Sequence, residues 1–493
     1  MNQPQDGLRG LAKDAIIYGI ADFAPRAVNF ALLPLMTRFL SPKDYGILSL
    51  VQMVSSIAEI LFHCGAETAF SRFYPEAKAE SEKNLLLRSI YLQLILQGIL
   101  GSLILSLLLP YALPILFGAE PLPFWPYGFA AIFLPLLYLT SSIALLQARM
   151  ERKPKFYLWF RLATFGISIL GIIYFVVVKK HGAWGSLKGQ MFAAALSAVA
   201  LLWIFKSQLF QKRIDWATIS RSVRYGFPLF SSQASNWFFA FSDRIFIQRY
   251  RTTETVGMYQ MGSNFLLPMD FLINAINFAW TPRFFHQSIG KKDYESLTRD
   301  SLKIVGAVFV GIVGYMAFLR PLITLMTFES FHIAYRIGDI LAFYYATRIL
   351  WCVISNGLSV HDRTGTIARV TLITGIAQVA SNFFLISRFG ALGAAFSTVT
   401  AGIVRTVVGG IPFVKTWPVQ LPLKAFFFFC LCVTLAGGTI LIIDFQSSSP
   451  WNLSALALKL AIFVGVYHAS RYLGFMIPIL SILPPSLRKR FKG

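Results

Sequence analysis

Apolar stretches of roughly twenty residues recur about fourteen times along this chain, most of them separated by short basic loops. A bilayer's hydrocarbon core is about 30 Å thick and a helix rises about 1.5 Å per residue, so about 20 apolar residues cross it. The stretches fall near residues 15–36, 46–66, 85–109, 125–147, 156–178, 186–205, 225–248, 254–277, 302–325, 338–360, 367–387, 391–413, 423–443 and 453–480. Strands of a membrane barrel alternate apolar and polar residues, whereas 305–313 and 426–432 are apolar on every side, which argues against a barrel. The expected fold is an all-α polytopic membrane protein. Composition agrees: 56% of residues are hydrophobic, only 14% are charged, and mean hydropathy is +0.61.

A net charge of +23 invites a nucleic-acid reading, which its distribution argues against. With the N-terminus inside, the inner loops hold Arg72, Lys78, Lys83 and Arg88; Arg149, Arg152, Lys153 and Lys155; Lys212, Arg213, Arg221 and Arg224; Arg283, Lys291, Lys292 and Arg299. A tail adds Arg488, Lys489, Arg490 and Lys492, while the outer loops 110–124 and 444–452 lack Lys and Arg. This is the positive-inside pattern, and it places both termini in the cytoplasm. The basic excess faces anionic headgroups, and no basic folded domain exists to carry nucleic acid. The polar start MNQPQDGLRGLAKD lacks a cleavage pattern and reads as a retained tail.

Cys64, Cys352, Cys430 and Cys432 lie within or beside spans without zinc spacing, and the six histidines are scattered. No GxGxxG, Walker A, HExxH or GxSxG pattern occurs, and every loop is short. The sequence therefore supplies no catalytic residue, no metal site and no cofactor.

The two halves repeat. Tyr18, Gly19 and Asn29 match Tyr225, Gly226 and Asn236 at an offset of 207; Gly46, Arg72, Phe73, Arg88 and Arg152 match Gly257, Arg283, Phe284, Arg299 and Arg363 at 211. Further on, GAWG at Gly182–Gly185 matches GALG at Gly390–Gly393 at 208. Six helices per repeat is an even number, so both copies keep one orientation and the relating axis runs along the membrane normal. The expected organisation is an N-lobe over 1–210, a C-lobe over 211–420, and two further helices with the basic tail over 421–493, the lobes enclosing a central cavity.

Ionisable groups at mid-membrane cost about 2.5–3.5 kcal/mol each on insertion scales and are functional candidates by default. Arg26 follows Pro25 near the middle of the first span, where proline can kink the helix; Arg348 is central in the tenth, and Arg405 lies toward the inner side of the twelfth. Arg26 has a competing structural reading, a helical pair with Asp22 four residues earlier. Arg161 reads as an interface anchor, and Arg244 either pairs with Asp243 or marks an outer rim. Glu59 and Asp270 lack local partners, and with Asp22 they either balance the arginines or bind a coupling H+ or Na+. Asn29 and Asn236, equivalent in the repeat, either bond across helices or face a cavity.

Five motifs carry a family resemblance: TRFLSPKDYG at Thr37–Gly46, FSRFYPE at Phe70–Glu76, SDR at Ser242–Arg244, VGMYQM at Val256–Met261 and TPRFF at Thr281–Phe285. The chain resembles polysaccharide-type flippases of the multidrug/oligosaccharidyl-lipid/polysaccharide exporter superfamily. The resemblance implies two six-helix lobes about a cavity, with two flanking helices like those thought to line a polyprenyl-tail groove in lipid II flippases. It also implies transfer of an undecaprenyl diphosphate-linked oligosaccharide from the cytoplasmic to the periplasmic leaflet of a bacterial inner membrane. Partners would be the lipid-linked substrate, the bilayer and other polysaccharide-assembly proteins. Diphosphate oxygens match the paired donors of a guanidinium, so Arg26, Arg348 and Arg405, with Asn29, Asn236 and Arg244, are the expected substrate contacts. The alternatives are a cation-coupled multidrug antiporter and, from another class, a membrane glycan polymerase or glycosyltransferase.

Overall fold

The computed structural model describes residues 7–118, 120–206, 214–447 and 449–475. Lys212, Arg213, the basic tail and the end of the last expected span lie outside the described residues.

Among the described residues are seventeen α-helices and no strand. The first half holds α1 (Gly7–Ala31), α2 (Leu33–Phe39), α3 (Pro42–His63), α4 (Ala66–Phe73), α5 (Glu80–Phe117), α6 (Phe129–Met150), α7 (Pro154–Ile173) and α8 (Gly182–Ile204). The second holds α9 (Trp216–Tyr250), α10 (Thr253–Asn264), α11 (Leu267–Phe285), α12 (Tyr294–Met326), α13 (Tyr335–Val360), α14 (Thr364–Phe389), α15 (Ala391–Thr416), α16 (Leu423–Gln446) and α17 (Leu453–Tyr472). Every expected span falls on helix. Eleven helical segments are long and apolar enough to cross a membrane. The other expected spans fall on α1 and α9, which are too polar to count, and on the pair α10 and α11, of which α10 is only twelve residues long. Polar helices in hydrocarbon face protein or water rather than lipid tails.

By contact the chain forms two compact units, Met1–Gly257 and Met258–Gly493. The division differs from the repeat boundary at 210/211 because α9, which begins the second copy, packs on α3, α4 and α5. The indole N–H of Trp237 on α9 donates to the Met53 carbonyl and the Ser56 hydroxyl of α3 (3.0 and 2.9 Å).

The repeat has a physical counterpart at the start of α3 and α10. Ser41 caps α3 in a capping box: its hydroxyl accepts from the Asp44 amide at 3.2 Å, and the Asp44 carboxylate accepts from the Ser41 amide at 2.9 Å. At the equivalent position, offset 211, the Thr252 hydroxyl accepts from the Thr255 amide at 3.3 Å. The matched glycines then meet reciprocally. A Cβ on Gly46 would lie 1.8 Å from the Thr253 carbonyl oxygen, and one on Gly257 would lie 1.8 Å from that of Pro42. Residues 42 and 253, like 46 and 257, differ by 211, so each copy presents the same atoms to the other, as at a two-fold axis. The turn glycines match as well: Gly182 and Gly390 both take φ near +55° to +58°, a left-handed conformation that glycine adopts most readily.

In the second unit, the TPRFF segment and the residues around it supply aromatic anchors: Trp280, Phe284, Leu297, Ile354, Leu358, Phe413 and Trp417 form one buried cluster. The Trp417 indole donates to the Thr298 hydroxyl at 2.8 Å. Leu100, Leu103 and Leu107 on α5, and Phe427, Phe428 and Leu435 on α16, stay exposed, as lipid-facing residues should.

Candidate functional site

In the first unit, Asp22, Arg26 and Asn29 recur at i, i+4 and i+7 along α1, one helical face, and all three are exposed. A polar stripe within a membrane span is costly against acyl chains and stable against water. Helix assignment runs through Pro25 to Ala31, and the interruption falls at Leu32, before Pro34. The partner of Asp22 comes from elsewhere in the chain: its carboxylate accepts from the Arg161 guanidinium at 3.2 Å and the Tyr157 hydroxyl at 3.0 Å. Arg149 donates to that same hydroxyl at 3.1 Å, which joins α1, α6 and α7 in one polar network. Arg161 thus holds a carboxylate as well as lying near a membrane boundary.

Glu59 on α3 is exposed and makes no ion pair among the described residues. One turn on, buried His63 contacts the Ser142 hydroxyl at 3.1 Å and the Glu67 carboxylate at 3.3 Å. On α9, Asn236 is exposed. Arg244 is half-buried and engaged: it donates to Asp243 at 2.9 Å, the Ala240 carbonyl at 3.2 Å and the Ser49 hydroxyl at 3.3 Å. The pairing with Asp243 is the local one expected, and it fastens α9 to α3.

In the second unit, Arg348 on α13 bonds to the Asp270 carboxylate of α11 and, at 3.0 Å, to the Asn274 side-chain oxygen. Asn274 in turn donates to Asp270 at 2.9 Å. Charge balance, one of the two readings of Asp270, is what this geometry provides. Arg405 on α15 differs. Its guanidinium lies over the Trp351 ring at 5.5 Å, its Nε is buried with no hydrogen-bond partner, and it forms no ion pair among the described residues. An apolar cavity of about 200 Å³ lies among α12, α13, α15 and α16, lined by Val305, Leu350, Ile354, Thr406, Phe413 and Phe426 among others; Arg405 precedes Thr406 in the chain and does not itself line it.

Sequence reasoning missed four charges in the second unit: Arg320, Asp339, Asp444 and Lys459, all buried. Lys459 interrupts the run LSALALKLAIFVGVY, and the cost of an intramembrane charge was signal enough to find it. Asp444 had been assigned to the start of an outer loop, whereas α16 carries it to within two residues of the helix end.

The profile of a family described as "Polysaccharide biosynthesis protein" matches residues 11–288. "Lsg locus putative protein 1" of Haemophilus influenzae is 26% identical over 293 residues, 57% of this chain and 67% of that protein. Among solved structures, "Lipid II flippase MurJ, inward closed conformation" superposes with a TM-score of 0.68 at 19% identity, covering 93% of this chain and 98% of the other. The inward-facing conformation of a multidrug resistance transporter of the MATE family, in the MOP superfamily, superposes at 0.58 and 13% identity, covering 78% and 93%. These last two likenesses establish a shared fold.

Proposed function

The chain belongs to the polysaccharide biosynthesis protein family, a multi-pass membrane protein on the exporter fold, and from that premise we propose that it is a flippase. Its cargo is an undecaprenyl diphosphate-linked oligosaccharide, moved from the cytoplasmic to the periplasmic leaflet of a bacterial inner membrane by alternating access. Both termini are cytoplasmic, as the basic loops place them.

One observation carries the reading: Arg405 is an intramembrane guanidinium with a buried, unbonded donor, on a helix whose next residue, Thr406, lines an apolar cavity. A cargo that satisfies both is an anion joined to a long hydrocarbon. Phosphate oxygens take the guanidinium donors, the cavity takes isoprene units, and the glycan stays in water. Arg26 on the exposed face of α1 is a further proposed contact for the cargo. Arg348 joins in the measure that Asp270 releases it. Asn29 and Asn236 line exposed faces suited to glycan hydroxyls, and Arg244 holds the outer rim in shape.

The drug-antiporter reading needs walls that attract cations. Here the carboxylates are largely spoken for: Asp22 by Arg161, Asp270 by Arg348, Glu67 by His63. Glu59 is the exception, and with Asp22 and Asp270 it remains the place to look for H+ or Na+ coupling.

The test is leaflet transfer in reconstituted vesicles. Labelled polyprenyl-diphosphate glycan, added to one leaflet, should become accessible in the other only in vesicles holding the protein. Drug efflux without glycan transfer would replace this proposal with the antiporter, and chain lengthening would replace it with a polymerase.

A further inference from the structure

The charges that the sequence left unnoticed form one cluster inside the second unit. Lys459 on α17 donates to the Asp444 carboxylate of α16 at 2.6 Å and lies 3.4 Å from the Ala317 carbonyl of α12. Arg320 on α12 donates to the backbone carbonyls of Asp444 and Ser447 at 2.9 and 3.0 Å, and its guanidinium is 3.7 Å from the Asp444 carboxylate. The Tyr335 hydroxyl also donates to the Asp444 carbonyl, at 3.0 Å. The fourth member, Asp339 on α13, is fully buried, and neither of its carboxylate oxygens has a hydrogen-bond partner. The charges acting on it are those of Asp444, Lys459 and Arg320.

A bare carboxylate in so dry a place is unstable, because nothing replaces the water it has lost. The donors that would stabilise it are already committed to Asp444 and to carbonyls. A neutral acid avoids the larger cost, leaving only a hydroxyl without an acceptor. A metal ion fits poorly, since two fixed cations already stand beside the site and the Asp339 oxygens meet no further ligand. With Asp339 neutral, Arg320 and Lys459 outweigh Asp444 by one positive charge; with Asp339 ionised, the four residues sum to zero. The cluster therefore has two charge states that differ by one proton.

We propose that Asp339 is a proton-binding site, its proton held while Lys459 and Arg320 serve Asp444 and released when one of those donors turns to it. On release the O–H bond breaks, water or buffer base takes the proton, and the Asp339 carboxylate accepts a hydrogen bond from the ammonium or the guanidinium. The consequence is mechanical. Lys459 ties α17 to α16 in the protonated state and would tie α17 or α12 to α13 in the other, so proton exchange moves the contacts of the last two helices, which lie outside the duplication. This inference goes beyond the flippase reading and does not depend on what the chain carries.

Infrared difference spectroscopy of the full chain in lipid vesicles tests it. The wild type should show the carbonyl stretch of an un-ionised carboxylic acid at neutral pH, shifting in deuterated water, and Asp339→Asn should lack that band. Asp444→Asn should also lose it, because Lys459 and Arg320 then have only Asp339 to serve. An unchanged spectrum in Asp339→Asn would overturn the proposal. So would failure of Asp339→Asn to fold, since the amide mimics the neutral acid in shape and charge. Loss of the band on replacing choline with sodium at fixed pH would also overturn it, in favour of a metal-cation site.

Discussion

Truncating Arg405 to alanine is the most direct perturbation of the proposed site. Its guanidinium is bound by no carboxylate among the described residues, so removal leaves no buried counter-charge behind, and the loss reads as loss of ligand contact. A hydrogen bond to a charged group contributes about 1.5–3 kcal/mol. One such bond to phosphate, at about 1.4 kcal/mol per tenfold, corresponds to a fall of roughly tenfold to a hundredfold in affinity for the diphosphate lipid. Arg405→Lys should recover part of this, because an ammonium keeps the charge but lacks the planar face that lies on Trp351. The assay is initial-rate leaflet transfer at several lipid concentrations, with variant incorporation matched to wild type. Undiminished transfer by Arg405→Ala at all concentrations would refute the assignment. A loss confined to protein abundance would refute it too, by making the residue structural.

Arg26→Ala should abolish complementation of the host glycan pathway at near-normal membrane abundance, with Arg26→Lys partly active; full activity of the alanine variant removes Arg26 from the site. Gly46→Ala places a Cβ 1.8 Å from the Thr253 carbonyl oxygen, where a carbon–oxygen contact needs about 3.3 Å, so α3 and α10 must separate. The expected cost is about 1–3 kcal/mol, read as a lower unfolding temperature in detergent, and adding Gly257→Ala should cost less than the sum because both act on one crossing. Glu120 offers a pH test: hydrogen bonds from Lys43 at 2.6 Å and from the Thr253 amide at 2.9 Å hold its carboxyl below the ordinary carboxylate range. Its contribution is thus present above the unfolded value of about 4.3 and lost as pH falls through the lowered one. The stability gap between wild type and Glu120→Gln should accordingly be open at pH 7 and shrink under strong acid; a gap independent of pH would show that the carboxylate's charge is irrelevant.

The helices were legible because hydrocarbon thickness imposes a length, and each expected span falls on helix even where α1 and α9 are too polar to pass on apolarity alone. The duplication was legible because backbone crossings demand small residues: Gly46 and Gly257 stood out as matched glycines before their reciprocal contact was known. The carboxylates Glu59 and Asp270 looked alike in sequence, yet one is exposed without an ion pair among the described residues and the other is bonded to Arg348, 78 positions away. Asp22 had a ready partner four residues along in Arg26, and the fold gives it Arg161 from 139 positions away.

Sequence by itself determined what hydropathy and repetition record, which are local sums along the chain: an α-helical membrane protein with two related halves. Only the tertiary structure decided which charges are neutralised, which guanidinium keeps its donors, and that Asp339, Asp444, Arg320 and Lys459 share one dry pocket. Electrostatic energy depends on distance and desolvation between residues far apart in the chain, and no window along the sequence contains either quantity.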